Sequence, residues 1–184
     1  MTSVPKLRRL TPRRPLSEME ALRLAELQAN RLLELFEVPG PPVPISVISH
    51  LPKIYVEELP SIPVSGSAHW DGALWIIVLS ADEPETRRRF SLAHELKHVL
   101  DHPFRFVLYA NAPRRKGQPP RMEVVADHFA ACLLMPKRWI YAAWNAGIRD
   151  VRDLATFFEV SRAAMERRIT DLGLAPMTNA MEAA

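Results

Sequence analysis

The pattern at residues 94–98, His-Glu-Leu-Lys-His, restricts the possible folds more than any other feature of the sequence. It predicts one helix and restricts which other element can pack against that helix. On an α-helix, His94 and His98 lie one turn and about 6 Å apart and project from one face, so both imidazoles can reach one tetrahedral ion. Glu95 is turned by about 100°, where a carboxylate can take a proton from metal-bound water. Such a short pattern also occurs by chance on exposed helix faces.

A catalytic zinc usually has three protein ligands and an open position for water, so the hypothesis requires a third ligand. His102 lies on the same stripe of the helix but about 12 Å along its axis from His94, which is too far for one ion. Asp101 is excluded for a similar reason. The third ligand must therefore come from another element.

The segment 122–135 provides the best source of that ligand, because its apolar spacing predicts a buried helix. Glu123 and Asp127 lie four residues apart on one face of this helix. We predict that Glu123 binds the metal and that Asp127 accepts the outer N–H of a ligand histidine. His128, which points about 100° away from Asp127, is the alternative ligand.

The spacing of apolar residues changes along the chain and predicts the fold class. Ser17 and Glu20 form a capping box that opens a helix over about 18–37. Residues 53–80 contain three strand-like runs, and Asp71-Gly72 between the last two is a strong hairpin signal. Helical spacing then returns. The sequence therefore predicts an α+β fold that is mostly helical, with a small three-stranded antiparallel sheet.

Breaker residues predict four segments. Residues 1–16 are basic and contain three prolines, which argue against an amphipathic helix and favour a flexible tail. Residues 17–136 form the domain with the metal site. Residues 137–174 form a helical subdomain similar to a helix-turn-helix and packed on that domain, and residues 175–184 form a second flexible tail.

Composition bears on the cellular compartment. No run approaches the roughly 20 apolar residues that a membrane helix needs. Cys132 is the only cysteine, so an intramolecular disulfide cannot form and nothing indicates an oxidising compartment. We therefore expect a cytoplasmic protein without membrane association. The net charge of +3 is only weak evidence for a nucleic-acid partner.

Two sequence blocks carry a family resemblance. Residues 88–98 read Arg-Arg-Phe-Ser-Leu-Ala-His-Glu-Leu-Lys-His, and residues 123–136 read Glu-Val-Val-Ala-Asp-His-Phe-Ala-Ala-Cys-Leu-Leu-Met-Pro. Together they resemble the ImmA/IrrE family of zinc metallopeptidases. The resemblance implies a zincin-like core with a gluzincin-like site. In that site His94, His98 and Glu123 bind zinc, Glu95 is the general base and Asp127 supports a ligand histidine.

The resemblance also implies a function and a partner. Members of this family cleave repressors with helix-turn-helix domains, so we expect a zinc endopeptidase acting on an Xre-like repressor. One Zn²⁺ per chain is expected, with Mn²⁺ as a substitute. Lys97 departs from the family, which often has glycine there. We expect this lysine to change the helix surface and the electrostatics of the pocket while leaving the ligands intact.

Substrate contacts are assigned from residue type and strand pattern. An extended peptide is expected to pair with an exposed sheet edge near residues 73–79. Trp75, Ile77 and Tyr109 are the candidate substrate-binding residues. Tyr109, His69 and Arg121 are also the candidates for stabilising an oxyanion.

Residues 154–174 support a second hypothesis, because they resemble a helix-turn-helix with its second helix over 162–172. Arg162, Arg167 and Arg168 would then be available to phosphates. A DNA-binding regulator is therefore an alternative, although we favour packing or repressor docking for these helices. A third hypothesis is a toxin or interaction module paired with a repressor, without constitutive proteolysis.

Overall fold

The structure, a computed structural model, describes residues 3–112 and 116–174. The predicted tail at 175–184 lies outside the described residues. The chain forms an α+β fold with a small mixed sheet, as the sequence predicted for the class. The elements in chain order are α1 (Ser3–Arg8), α2 (Glu18–Leu35), α3 (Ser46–Ser49), β1 (Ile54–Leu59), β2 (Gly66–Trp70), β3 (Trp75–Ser80), α4 (Glu85–Asp101), α5 (Arg105–Leu108), α6 (Arg121–Leu134), α7 (Lys137–Asn145), α8 (Val151–Phe158) and α9 (Arg162–Asp171).

The sheet has the order β1-β3-β2 and is mixed, so the prediction of an antiparallel sheet was wrong in this detail. The β2–β3 hairpin forms at Asp71-Gly72, where the Asp71 carboxylate accepts the backbone N–H groups of Ala73 and Leu74. Strand β1 pairs with β3 in parallel. The link from β1 to β2 crosses the sheet, so β1 lies beside β3 instead of extending the hairpin. Strand β3 is therefore central.

The N-terminal segment is folded, and the prediction of a flexible tail is wrong for residues 3–16. Pro5 lies in the first turn of α1, where a proline removes no helical hydrogen bond. Val4 and Leu7 are buried against the core. The Arg8 guanidinium donates to the carbonyls of Val99 and Leu100 at the end of α4.

Packing of α6 against both α2 and α4 forms the centre of the core. Leu92, Leu96, Phe129 and Leu133 are almost fully buried at this centre. Burying side chains of this size stabilises the fold by about 1.5–3 kcal/mol each relative to exposure. The same packing brings one face of α4 and one face of α6 together, and these two faces border a cleft beside β2.

The helices α7–α9 pack on the end of this core. Arg168 on α9 donates its Nε–H to the carbonyl of Met135 at a distance of 3.0 Å. Arg89 on α4 forms an ion pair of 3.1 Å with Glu159, which follows α8. None of the helices in the described ranges has the length and apolar character that a bilayer crossing requires.

Candidate metal centre

Helix α4 presents both histidines of the motif toward α6. Their Nε2 atoms lie 3.0 Å apart, and the Oε2 atom of Glu123 lies 3.2 Å from that of His94 and 3.5 Å from that of His98. Metal–ligand bonds of about 2.1 Å in a tetrahedron separate the ligand atoms by about 3.4 Å. The three side chains therefore fit a tetrahedral ion. Among the described residues, no other group of His, Cys, Asp or Glu is so arranged.

Asp127 lies one turn along α6 from Glu123 and orients His94. Its Oδ1 atom is 2.9 Å from His94 Nδ1. A proton on Nδ1 can therefore be donated to the carboxylate, which leaves the lone pair of Nε2 for a metal. Burial lowers the pKa of His94, but the hydrogen bond and charge of Asp127 raise it overall. The same hydrogen bond holds the pKa of Asp127 below its ordinary value.

The other residues that were considered as metal ligands contact different groups. The Nε2 atom of His128 lies 3.4 Å from the Cys132 sulfur. The His102 ring packs edge-on against Trp75, with the centroids 4.9 Å apart. Asp101 accepts a hydrogen bond from Lys97. Glu123 is thus the residue that the structure places with the two histidines.

Glu95 follows His94 on α4 and lines the cleft beside the ligand atoms. Burial raises the pKa of its carboxyl; His94 opposes this rise and Glu123 adds to it. A raised pKa brings a carboxyl closer to the range in which it can accept and then return a proton near neutral pH. The environment of Glu95 is therefore suited to a general base.

Gly66 at the start of β2 is a site residue that sequence analysis missed. A Cβ atom built on it would lie 3.3 Å from Glu95 Cγ, 3.2 Å from Leu79 Cδ2 and 3.5 Å from Ser91 Cβ. The absence of a side chain therefore lets the strand pack closely against α4. Nothing in the local sequence, Ser-Gly-Ser, distinguishes this glycine from one in an ordinary loop.

The cleft has a volume of about 370 Å³, and Trp75 and Tyr109 lie in its wall. The prediction that Ile77 binds substrate was wrong, because its side chain is 0% exposed and belongs to the core. Among the oxyanion candidates, His69 is exposed outside the cleft wall. Arg121 donates to the Leu16 carbonyl. Tyr109 is therefore the one of these three that reaches the cleft.

Strand β2, and not β3, is the sheet edge beside the metal centre. Because β3 has hydrogen-bonded neighbours on both sides, the edge predicted at residues 73–79 does not exist. Gly66, Ser67 and Ala68 of β2 line the cleft. An extended peptide that adds a strand to this sheet beside the metal centre would therefore pair with β2.

Lys97 lies inside the protein, so the prediction that it changes the helix surface was wrong. Its side chain is 1% exposed. Its ammonium donates to Asp101 Oδ1 at 2.7 Å and to Gln28 Oε1 at 2.8 Å. Gln28 in turn donates to the Thr11 hydroxyl at 3.1 Å. Burial lowers the pKa of Lys97, and the charge of Asp101 opposes that effect.

This buried network reaches the cleft through Tyr109, whose hydroxyl donates to Asp101 Oδ2. Burial and the Asp101 carboxylate raise the pKa of Tyr109. Because its proton is directed to Asp101, the phenolic oxygen can offer an approaching peptide an acceptor but not a donor. This arrangement disfavours Tyr109 as an oxyanion stabiliser.

The arginines predicted to reach DNA phosphates differ in availability. Arg168 is buried and donates to Met135, so it cannot contact DNA. Arg162 is exposed but is held by Glu166 at 2.7 Å. Arg167 is exposed. The structure thus weakens the case for α9 as a recognition helix.

Comparisons with known proteins agree with this geometry. The family model of the IrrE N-terminal-like domain (Peptidase M78) matches residues 51–170. A solved structure named "Mycobacterium tuberculosis transcriptional regulator" is similar in fold, with a TM-score of 0.55 and 16% sequence identity. The similarity covers 92% of this chain and 52% of the regulator, so the chain spans about half of that protein. The search of curated proteins gave no match.

Proposed function

Because the chain belongs to the IrrE N-terminal-like family of Peptidase M78, we propose that it is a zinc-dependent endopeptidase. The observation that carries the proposal is the triangle of His94 Nε2, His98 Nε2 and Glu123 Oε2 beside Glu95. Two nitrogens and one carboxylate oxygen form a typical donor set for catalytic zinc. Mn²⁺ is a substitute ion with compatible ligands.

A zinc ion held by these residues would acidify a bound water and polarise the scissile carbonyl. The Glu95 carboxylate takes a proton from the attacking water as the water oxygen bonds to the carbonyl carbon. The carbon–nitrogen bond then breaks, and Glu95 returns the proton to the leaving amine. Asp127 keeps His94 in the tautomer that presents Nε2. An extended substrate pairs with β2, next to Gly66.

We further propose that the substrate is a helix-turn-helix repressor and that the activity is cytoplasmic. The support is the family resemblance and the paired helices α8 and α9, which can dock a helical partner. The transcriptional regulator with a similar fold supports only the fold of this chain, because the two sequences are 16% identical. The rival is an interaction module that binds the repressor without cutting it.

The test first looks for a small helix-turn-helix repressor encoded next to this gene. Such a repressor is then incubated with the wild-type protein and with Glu95→Gln, each loaded with zinc or manganese. We expect discrete fragments with the wild type and none with Glu95→Gln, read by mass spectrometry. Elemental analysis of both proteins controls for metal content. Stable binding without cleavage under all conditions would favour the interaction module over the peptidase.

A further inference from the structure

A second cavity, larger than the cleft, lies between the start of α4 and the helices α8 and α9. Its volume is about 490 Å³. Its wall contains Glu85 and Thr86 from α4, Thr156 from α8 and Arg162 from α9. It shares no lining residue with the cleft at the metal centre. The peptidase mechanism uses none of these groups.

Three arginines from three helices meet at this cavity: Arg89, Arg152 and Arg162. Arg89 is only 5% exposed. It donates to the Val43 carbonyl at 2.9 Å and pairs with Glu159 at 3.1 Å, yet its Nε has no hydrogen-bond partner. A buried guanidinium with an unused donor is a costly arrangement unless another group completes it. The Nε atom itself has almost no contact with solvent, so a ligand in the cavity would reach Arg89 through the terminal nitrogen that Glu159 now occupies.

Two helix N-termini add partial positive charge at the same place. Helix α4 starts after Pro84, which provides no side-chain cap, so its first N–H groups have no side-chain acceptor there. Helix α9 starts after Ser161, whose hydroxyl accepts the N–H of Ala164 only. Uncapped N–H groups and the helix dipole both favour an anion. These helices have 17 and 10 residues, long enough for the effect.

Two acids, Glu85 and Glu159, lie in the wall, so an anion would have to be bound beside carboxylates. Glu85 is exposed in the first turn of α4, where its charge offsets part of the positive end of that helix. Glu159 has a positive φ of 50° and a carboxylate that is half-exposed, so it can move off Arg89 at little cost in buried contacts. Arg162 is paired with Glu166 on the surface, and such exposed pairs contribute only about 0–1 kcal/mol. Arg152 has no side-chain partner among the described residues. Both exposed arginines can therefore turn to a ligand.

We propose that this cavity binds a small phosphorylated molecule of about mononucleotide size. Its phosphate contacts Arg152 and Arg162 and displaces Glu159 from Arg89. Phosphate oxygens match the forked donors of arginine, and the hydroxyls of Thr86 and Thr156 can donate as well. A volume of about 490 Å³ lies within the range of small-molecule sites and far exceeds the needs of one phosphate ion.

The experiment is isothermal titration calorimetry of the zinc-loaded protein with AMP, adenosine and inorganic phosphate. We expect one AMP per chain and binding at least about tenfold tighter than for phosphate, with no binding of adenosine alone. Arg152→Ala and Arg162→Ala should each weaken AMP binding at least about tenfold. Arg23→Ala, which removes an exposed arginine on α2, is the matched control and should change nothing.

Each other result overturns the proposal. Unchanged AMP affinity in both cavity variants would locate the phosphate elsewhere, for example on the metal. Equal affinity for phosphate and AMP would reduce the site to one for free anions. The absence of binding with any probe would leave the arginines as structural residues. Circular dichroism of each variant confirms that the fold is retained.

Discussion

Two faces of helix α4 carry ionisable groups, and they meet opposite environments. On the cleft face, His94, Glu95 and His98 are partly exposed and are directed to an open site. On the adjoining interior face, Lys97 and Asp101 form an ion pair that is almost fully buried, with Asp101 at the border of the cleft. Charged residues of one helix can therefore be exposed or buried, and the sequence of the helix alone does not distinguish the two cases. The cleft face can bind an ion from solution, whereas on the interior face the charge of Lys97 is balanced by Asp101.

The largest expected effect is on the interior face. Asp101→Asn should lower the free energy of unfolding by about 3–5 kcal/mol, because it leaves the Lys97 ammonium buried without a counter-charge. Chemical denaturation of the metal-free protein measures this. Asp153→Asn makes the same change at an exposed position and should cost less than about 0.5 kcal/mol. A loss below about 1 kcal/mol for Asp101→Asn would show that the two faces do not differ as described.

A smaller effect is expected at Asp127, whose carboxylate lies 2.9 Å from His94 on the cleft face of α4. Asp127→Ala should weaken zinc binding about 10- to 100-fold, because His94 loses the carboxylate that orients its ring. Competition with a chromophoric chelator measures the affinity, and Asp171→Ala is the control. Because Asp127 is about half exposed, the metal-free protein should unfold at nearly the same denaturant concentration. Zinc affinity equal to that of the wild type would remove Asp127 from the site.

The smallest effect is expected where β2 touches Glu95. Gly66→Ala places a methyl group 3.3 Å from Glu95 Cγ and should cost about 1 kcal/mol, since the side chains around it can partly adjust. Peptidase activity should fall several-fold through the rate constant, with zinc affinity unchanged. Gly40→Ala, which makes the same change where an added Cβ meets nothing within 4 Å, is the control. A rate constant equal to that of the wild type would mean that Glu95 does not depend on this close packing.

The arrangement of the candidate metal ligands was the most predictable part of the molecule. His94 and His98 are related by helix geometry alone, and so are Glu123 and Asp127, so spacing places each pair on one face. Only the crossing of the two helices had to be inferred. The family resemblance indicated the same residues, and the distances between them fit one ion.

The errors came from contacts between residues far apart in the sequence. A lysine such as Lys97 is expected at the surface, but in the structure it is buried and donates to Gln28, which lies 69 positions earlier in the sequence. The parallel pairing of β1 depends on a loop that crosses the sheet, which no local pattern encodes. The three prolines of the N-terminal segment hid a helix because only Pro5 lies within it, and in its first turn.

The hydrogen bonds from Arg8 to the end of α4 have a consequence for the order of folding. They join positions 91 and 92 residues apart in the chain. During synthesis α1 can pack on α2, where Gln28 donates to the Leu7 carbonyl, but its contact with α4 must wait until Leu100 has been made. Helices this short are marginal alone. The attachment of α1 to α4 is therefore completed only after the middle of the chain has been synthesised.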